Sequence, residues 1–331
     1  MVSPSNSSAN GGKGVLLLNE DDVRRLLTMD MALEAVELGL RKLALDEATN
    51  APRERVQTDH AMLHIMSAGA KSLGVMGAKV YSTSRKTGAR FLLPLFDGKT
   101  GELLCLMQAD YLGQMRTGAA SGVATRLMAR PDAAELGVFG SGKQARTQVQ
   151  AICRVRRINQ VQVYSPNEER RRLFAEEMSA LCQTEVVPVS RPEMAAEKKD
   201  IIVTATTSRE PVLKGHWIAE GTHINAIGSN FLTKAEIDTA TVRRCAVVAV
   251  DSKDQARLEA GDFQQALEDG SLHWANVREL GQILVGRYPG RKHPQDVTLF
   301  QSLGIAIEDV AVAARVYARA VDERAGKVLE W

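Results

Sequence analysis

Three rhythms of apolar and polar residues follow one another along this chain, and each predicts a different kind of element. Residues 15–18 are a short apolar run that reads as a strand, and Asn19 followed three residues later by Asp22 reads as a helix N-cap with an acidic first turn. From Asp30 onward, Ala32, Ala35, Val36, Gly39, Leu40 and Leu43 recur at the spacing of one helical face. Between His60 and Met107 the rhythm shortens to the strand-like runs 62–66, 76–81, 91–96 and 103–107. Asp97-Gly98-Lys99-Thr100-Gly101 separates the last two as a hairpin signal. The small residues from Arg116 to Ala124 then predict a helix lying close against a neighbouring backbone, which Arg130-Pro131-Asp132 ends.

From Ala134 the third rhythm alternates strand, turn and helix, as in βαβ units around a parallel sheet. It predicts strands at 136–139, 161–164, 185–187, 201–204, 224–227 and 247–250, enough for a doubly wound α/β domain. The tail from 302 to 325, with Ile305, Val310, Ala313, Ala314 and Tyr317 apolar, predicts one long final helix.

Composition narrows the class. A length of 331 residues predicts two domains at about 100–200 residues each, and 44% hydrophobic residues exclude a disordered or collagen-like chain. The 42 Lys and Arg against 40 Asp and Glu leave +2 with no long block of either sign, so nothing demands a nucleic-acid or membrane partner. Cys105, Cys153, Cys182 and Cys245 are scattered without metal-ligand spacing, which predicts a reduced, cytoplasmic protein. Residues 1–14 are rich in Ser, Asn and Gly, lack the apolar stretch of a secretory signal, and read as a flexible leader. His60 and His64 stand four apart, but in a strand-like segment that spacing does not bring them together, and no metal is expected. Trp217, Trp274 and Trp331 read as packing residues or a frayed end rather than cofactor contacts.

The sharpest chemical signal is Gly140-Ser141-Gly142-Lys143-Gln144-Ala145, a G-x-G-x-x-A turn between a strand and a helix. Gly140 permits the tight turn, Gly142 lets a pyrophosphate approach the backbone, and Ala145 keeps the helix near the sheet. The phosphates then meet free N–H groups at the helix start. At the end of the second strand an NAD site usually carries an acidic residue about 20 positions on. Here the strand ends Tyr164-Ser165-Pro166-Asn167 with Arg170 and Arg171 beyond, a set suited to a 2′-phosphate, so NADP(H) is preferred with NAD(H) as the alternative.

Several ordered segments resemble the ornithine cyclodeaminase and mu-crystallin family, which also contains an alanine dehydrogenase and cyclic ketimine reductases. They are Pro52-Arg53, Gly77-Ala78-Lys79-Val80, Asp97-Gly98-Lys99-Thr100-Gly101, Met115-Arg116-Thr117-Gly118-Ala119-Ala120-Ser121, the Gly140 turn, Asp200-Ile201-Ile202-Val203-Thr204-Ala205-Thr206, His223-Ile224-Asn225-Ala226-Ile227-Gly228, and Ser302-Leu303-Gly304-Ile305-Ala306-Ile307-Glu308-Asp309. The resemblance implies a Rossmann-type dinucleotide domain at 129–301, inserted into an α+β substrate-binding and dimerisation domain made of 15–128 and 302–331. It implies a homodimer. By the same resemblance Arg53 and Arg116 bind a substrate carboxylate and Lys79 is the active-site lysine, while Asp309 borders the site. Guanidinium forks suit a carboxylate, and a desolvated lysine shifts its pKa. The expected cofactor contacts are Thr117, the Gly140–Ala145 turn, Ser165, Asn167, Arg170, Thr204, Ala205, Thr206, Gly228, Ser229, Ser302 and Gly304.

Two departures from the cyclodeaminases bear on the reaction. Asn230 stands where they carry an aspartate, and an amide cannot act as a general base. No acidic residue occurs from 61 to 76, where they carry a glutamate for the distal amine of ornithine, and the nearest match is His64. The expectation is therefore an NAD(P)H-dependent reductase that turns an imino acid into an L-amino acid, with Lys79 assisting proton transfer and Asn230 positioning the reacting nitrogen or a water. An ornithine or lysine cyclodeaminase, an alanine dehydrogenase, and a dinucleotide-binding protein without activity are the alternatives.

Overall fold

Asn19 and Thr28 each open a helix in the computed structural model, which describes residues 14–84 and 86–330. The Asn19 side chain accepts from the Asp21 and Asp22 N–H groups, and Asp22 returns a bond to the Asn19 N–H, closing a capping box. The expected leader, apart from Gly14, and Trp331 lie outside the described residues.

The first part of the chain runs β1 (Gly14–Leu18), α1 (Glu20–Leu26), α2 (Met29–Ala44), β2 (Ala48–Asn50), β3 (Glu54–Gln57), β4 (Ala61–Ala70), β5 (Val75–Ser84), β6 (Gly88–Asp97), β7 (Leu103–Gln108) and α3 (Asp110–Met128). The middle part runs β8 (Glu135–Phe139), α4 (Lys143–Val155), β9 (Gln160–Tyr164), α5 (Glu168–Cys182), β10 (Glu185–Pro188), β11 (Ile201–Thr204), β12 (His223–Ala226), α6 (Thr239–Arg244) and β13 (Cys245–Val250). Then come α7 (Lys253–Glu259), α8 (Gln264–Glu268), β14 (Arg278–Glu279), α9 (Leu280–Leu284), β15 (Val297–Gln301), α10 (Ala306–Asp322) and β16 (Lys327–Glu330).

The first sheet has the order β16-β1-β7-β6-β5-β4-β2, with β3 also on β4, and is antiparallel except between β1 and β7. The second has the order β10-β9-β8-β11-β12-β15-β13-β14 and every pairing in it is parallel. Its order reverses between β8 and β11. A crevice opens there at the carboxyl ends of the strands, the usual ligand position in such sheets.

α3 lies between the layers, with every residue from 112 to 125 buried. Its glycines make this possible. A Cβ on Gly118 would stand 2.4 Å from the Thr147 carbonyl oxygen of α4, and one on Gly122 would stand 2.6 Å from the Leu33 side chain of α2. α10 returns the chain to the first layer, where Ile307, Val310 and Val316 join the core of α2, β4 and β5. No helix among the described residues is long and apolar enough to cross a membrane.

The structure corrects the expected strand count. The parallel sheet holds eight strands rather than six, because β14 and β15 join it, and β15 is wedged between β12 and β13. Val297-Thr298-Leu299-Phe300 is a β-branched and aromatic run, so the signal was present but short. The final helix starts at Ala306 instead of 302. Residues 303 and 304 donate their N–H groups to Asp251, and Gly304 has φ +75°, which no right-handed helix accommodates.

Candidate active site

A cleft of about 390 Å³ runs from the carboxyl ends of β11 and β12 to the inner face of β5. Arg53, Lys79, Arg116, Thr117, Gly142, Lys143, Gln144, Ala205, Thr206, Gly228, Asn230, Ser302 and Gly304 all line it, although they come from both sheets and from α3.

Strand alternation puts Lys79 on the inner face of β5, and Gly77 on the same face lets α10 approach: a Cβ there would lie 3.3 Å from Val310. The Lys79 ammonium donates to Asp309 Oδ1 at 2.8 Å, and Arg116 Nε donates to the same oxygen at 3.0 Å. Arg116 also donates from Nη1 to Glu308 Oε2 at 2.9 Å. Arg53 donates to Glu259 Oε2 at 2.5 Å and to the carbonyls of Leu303 and Gly304 at 2.8 and 3.1 Å. Arg55 pairs with the other oxygen of Glu259 and donates to the Asn230 carbonyl at 3.1 Å.

The cations thus face the cleft while their carboxylate partners stand behind them. Burial, then the neighbouring Arg116 charge, lowers Lys79 to about 8 against the pull of Asp309. Burial also works against the Arg116 charge, but Asp309 and Glu308 outweigh it and raise its pKa. The Glu308 pKa is raised too, to about 8, chiefly by burial, which disfavours its charged form. Asp309 Oδ2 and Glu308 Oε1 are buried without a hydrogen-bond partner. Gly304 keeps Arg116 in position, since a Cβ there would stand 2.3 Å from Nη1. Such an array suits a small substrate that carries a carboxylate.

The opposite end of the cleft fits a dinucleotide. α4 begins at Gly142 without a side-chain cap, and a Cβ on Gly142 would meet nothing within 4 Å, so its N-terminal N–H groups face open space. Gly140, at φ +109°, sits so close to β11 that a Cβ would lie 2.3 Å from the Ala205 carbonyl oxygen. Ala145 lies on the buried face of α4, as close packing of that helix requires.

Several expected contacts do not line the cleft. Thr204 is fully buried, and its hydroxyl donates to Glu236 at 2.9 Å. Ser229 is fully buried and donates to the Lys234 carbonyl at 2.7 Å. Both are contacts that the family resemblance implies, and hydrogen bonds within the protein hold them away from the cleft. Asn167 accepts from the Arg170 N–H as the cap of α5, Arg170 is exposed, and Ser141 donates to Ser165 at 3.0 Å. Arg171, rather than Arg170, reaches the strand tip, donating to the Ser165 carbonyl at 3.0 Å.

Other groups escaped the sequence reading. Tyr81 and Phe91 line the cleft, and Tyr81 stacks between His64 and Phe91 at 4.2 and 4.8 Å between ring centroids. Period two from Lys79 could have found Tyr81. His64 is held neutral, near 4, by burial and then by Arg55 and Arg53. Glu259, Asp251 and Glu236 lie in parts of the chain with no local signature, and only packing brings them in.

Alanine dehydrogenase from Archaeoglobus fulgidus is 33% identical over 96% of this chain and 98% of its own. The structure of Thermococcus litoralis Δ1-pyrroline-2-carboxylate reductase, in complex with NADH and L-proline, superposes with a TM-score of 0.90 at 36% identity, covering 95% of this chain and 99% of that one. An archaeal alanine dehydrogenase dimer with bound NAD gives a TM-score of 0.89 at 32% identity, covering 96% and 100%. Residues 14–324 match the family signature as a whole, and the chain belongs to the ornithine cyclodeaminase/mu-crystallin family.

Proposed function

We propose that this chain is an NAD(P)H-dependent oxidoreductase acting on C–N bonds, reducing an imino acid such as pyrroline-2-carboxylate or piperideine-2-carboxylate to an L-amino acid. The observation that carries this reading is a single cleft with Lys79 and Arg116 at one end and the uncapped start of α4 at the other. In this reading residues 129–301 bind the dinucleotide, and 15–128 with 302–331 bind the substrate.

Bound nicotinamide supplies the hydride. The protein's own groups do the rest. Arg116 and Arg53 hold the carboxylate and so fix the imine carbon in the cleft, which removes orientational freedom before reaction. Tyr81 and Phe91 offer the substrate ring an apolar wall. Lys79, at about 8, donates a hydrogen bond to the substrate and can pass a proton toward the product nitrogen, while Asp309 takes up the charge balance. Asn230 has an amide where a carboxylate would serve cyclodeamination, and Asp309 is committed to Lys79 and Arg116. Both features favour simple reduction.

For the cofactor, β9 ends without a carboxylate at its tip and with Arg171 held nearby, which favours acceptance of NADP(H), although the two structural relatives named above carry NADH and NAD. We also assign a homodimer, as in the archaeal alanine dehydrogenase. The outer face of the first sheet supports it: Ile65 pairs with Val80 and Val80 with Leu92 across three strands, and Ile65 and Leu92 are 37% and 42% exposed.

The test is an absorbance assay at the nicotinamide band with NADPH and NADH in turn, offering pyrroline-2-carboxylate, piperideine-2-carboxylate, or pyruvate with ammonia. Ornithine with NAD, assayed for ammonia, is the control. Oxidation of the dinucleotide by a cyclic imine is expected. Ammonia release from ornithine without oxidation of the dinucleotide by any imine would overturn the reading.

A further inference from the structure

Glu236 takes no part in the chemistry above, yet its fully buried carboxylate is bound to both loops that wall the dinucleotide crevice. Oε1 accepts the Thr206 N–H at 2.6 Å, from the loop after β11. Oε2 accepts the Gly228 N–H at 2.6 Å, from the loop after β12, and also the Thr204 hydroxyl at 2.9 Å. Its backbone is held on both sides: the N–H donates to Asp262 Oδ1 at 2.6 Å, and the carbonyl accepts from Val212 and Leu213 at 2.8 and 3.0 Å. Gly228 permits the approach, since a Cβ there would lie 2.5 Å from Glu236 Oε1 and 2.4 Å from the Thr206 carbonyl oxygen.

We propose that Glu236 is a positioning residue for dinucleotide binding, a two-armed tie that sets the spacing of the β11 and β12 loops with one carboxylate oxygen on each. The proposal rests on the dinucleotide reading of the cleft. Thr206 and Gly228 both line it, and their N–H groups are used up by the carboxylate, so the loops keep their separation before any ligand arrives. Only a carboxylate can do this. The isosteric amide of glutamine has one acceptor oxygen, and its NH2 would face the other loop's N–H donor to donor, leaving a buried donor unpaired.

The experiment uses the full chain with Glu236→Gln. Dinucleotide affinity is read from nicotinamide fluorescence, and the KM of the imino acid is read at saturating cofactor. The dissociation constant for NADH or NADPH should rise about tenfold or more, while the KM of the imino acid stays within about twofold. A folded variant with unchanged dinucleotide affinity, or with equal losses for both ligands, overturns the proposal. Amide hydrogen exchange on the unaltered, cofactor-free chain decides the matter even if the variant does not fold: the Thr206 and Gly228 amides should exchange slowly, and exchange at unprotected peptide rates overturns the tie. If the unaltered chain binds neither dinucleotide, the functional reading fails and the ligand role of Glu236 with it, whereas unprotected exchange at Thr206 and Gly228 beside intact dinucleotide binding overturns the tie and leaves the functional reading standing.

Discussion

Lys79 on β5 and Asp309 on α10 are 230 positions apart in the chain and 2.8 Å apart in space. The strand supplies the ammonium, the returning C-terminal helix supplies its counter-charge, and Arg116 from α3 shares the same oxygen. Burying one of these charges alone would be costly; three elements together neutralise the cost and leave the cations turned toward the cleft.

Removing the ammonium should separate chemistry from cofactor binding. Lys79→Met is expected to lower kcat by about 10²–10⁴-fold with NADH affinity within about twofold of the original. Turnover and fluorescence titration measure the two quantities separately. A variant that loses cofactor affinity instead would show that the lysine serves the dinucleotide.

The pH profile follows from the same residue. With Lys79 lowered to about 8, its ammonium is present below that pH and lost above it, so kcat/KM should fall as pH rises through about 8. Arg keeps its charge across this range, so any activity that survives in Lys79→Arg should lack this limb.

Glu308 predicts a stability trend of its own. Burial raises its folded pKa to about 8, above the unfolded value, so the folded state binds the proton more tightly. Its contribution is therefore present at acid pH below the unfolded pKa and is lost as pH rises through about 8. Thermal midpoints between pH 5 and 9 should decline less steeply in Glu308→Gln, and equal slopes would mean that another group causes the decline.

At Gly304 the backbone and the substrate arginine are linked. Gly304→Ala puts a side chain at φ +75° and brings its Cβ within 2.3 Å of Arg116 Nη1. The strain should cost about 1–3 kcal/mol of stability, and the displaced guanidinium should raise the KM of the imino acid more than that of the cofactor. Equal KM values in variant and parent would mean that Arg116 does not hold the substrate.

Oligomeric state is open to a surface test. Ile65→Lys puts a charge on the exposed apolar row of the first sheet and should shift the chain from dimer toward monomer in light scattering at micromolar concentration. An unaffected dimer would place the interface elsewhere.

The sequence by itself determined the elements with strong local signals. Asn19 as a cap, the small residues of α3, the four long strands of the first sheet and the Gly140 turn all record constraints within a few residues of themselves, such as which backbone must bend or what must come close. The same locality explains why short motifs single out Arg53, Lys79 and Arg116. Tertiary structure alone decided the rest. β15 enters the sheet between β12 and β13 because of strand order, which no five-residue run encodes. Glu259 behind Arg53 and Glu236 between two loops are ordinary acidic residues until the fold brings their partners to them. Thr204 ends β11 and Ser229 lies in the loop after β12, near where dinucleotide contacts gather, but each hydroxyl finds a buried acceptor within the protein and turns inward. Periodicity tells which face of its own element a side chain leaves from; what it meets there depends on how the elements are stacked.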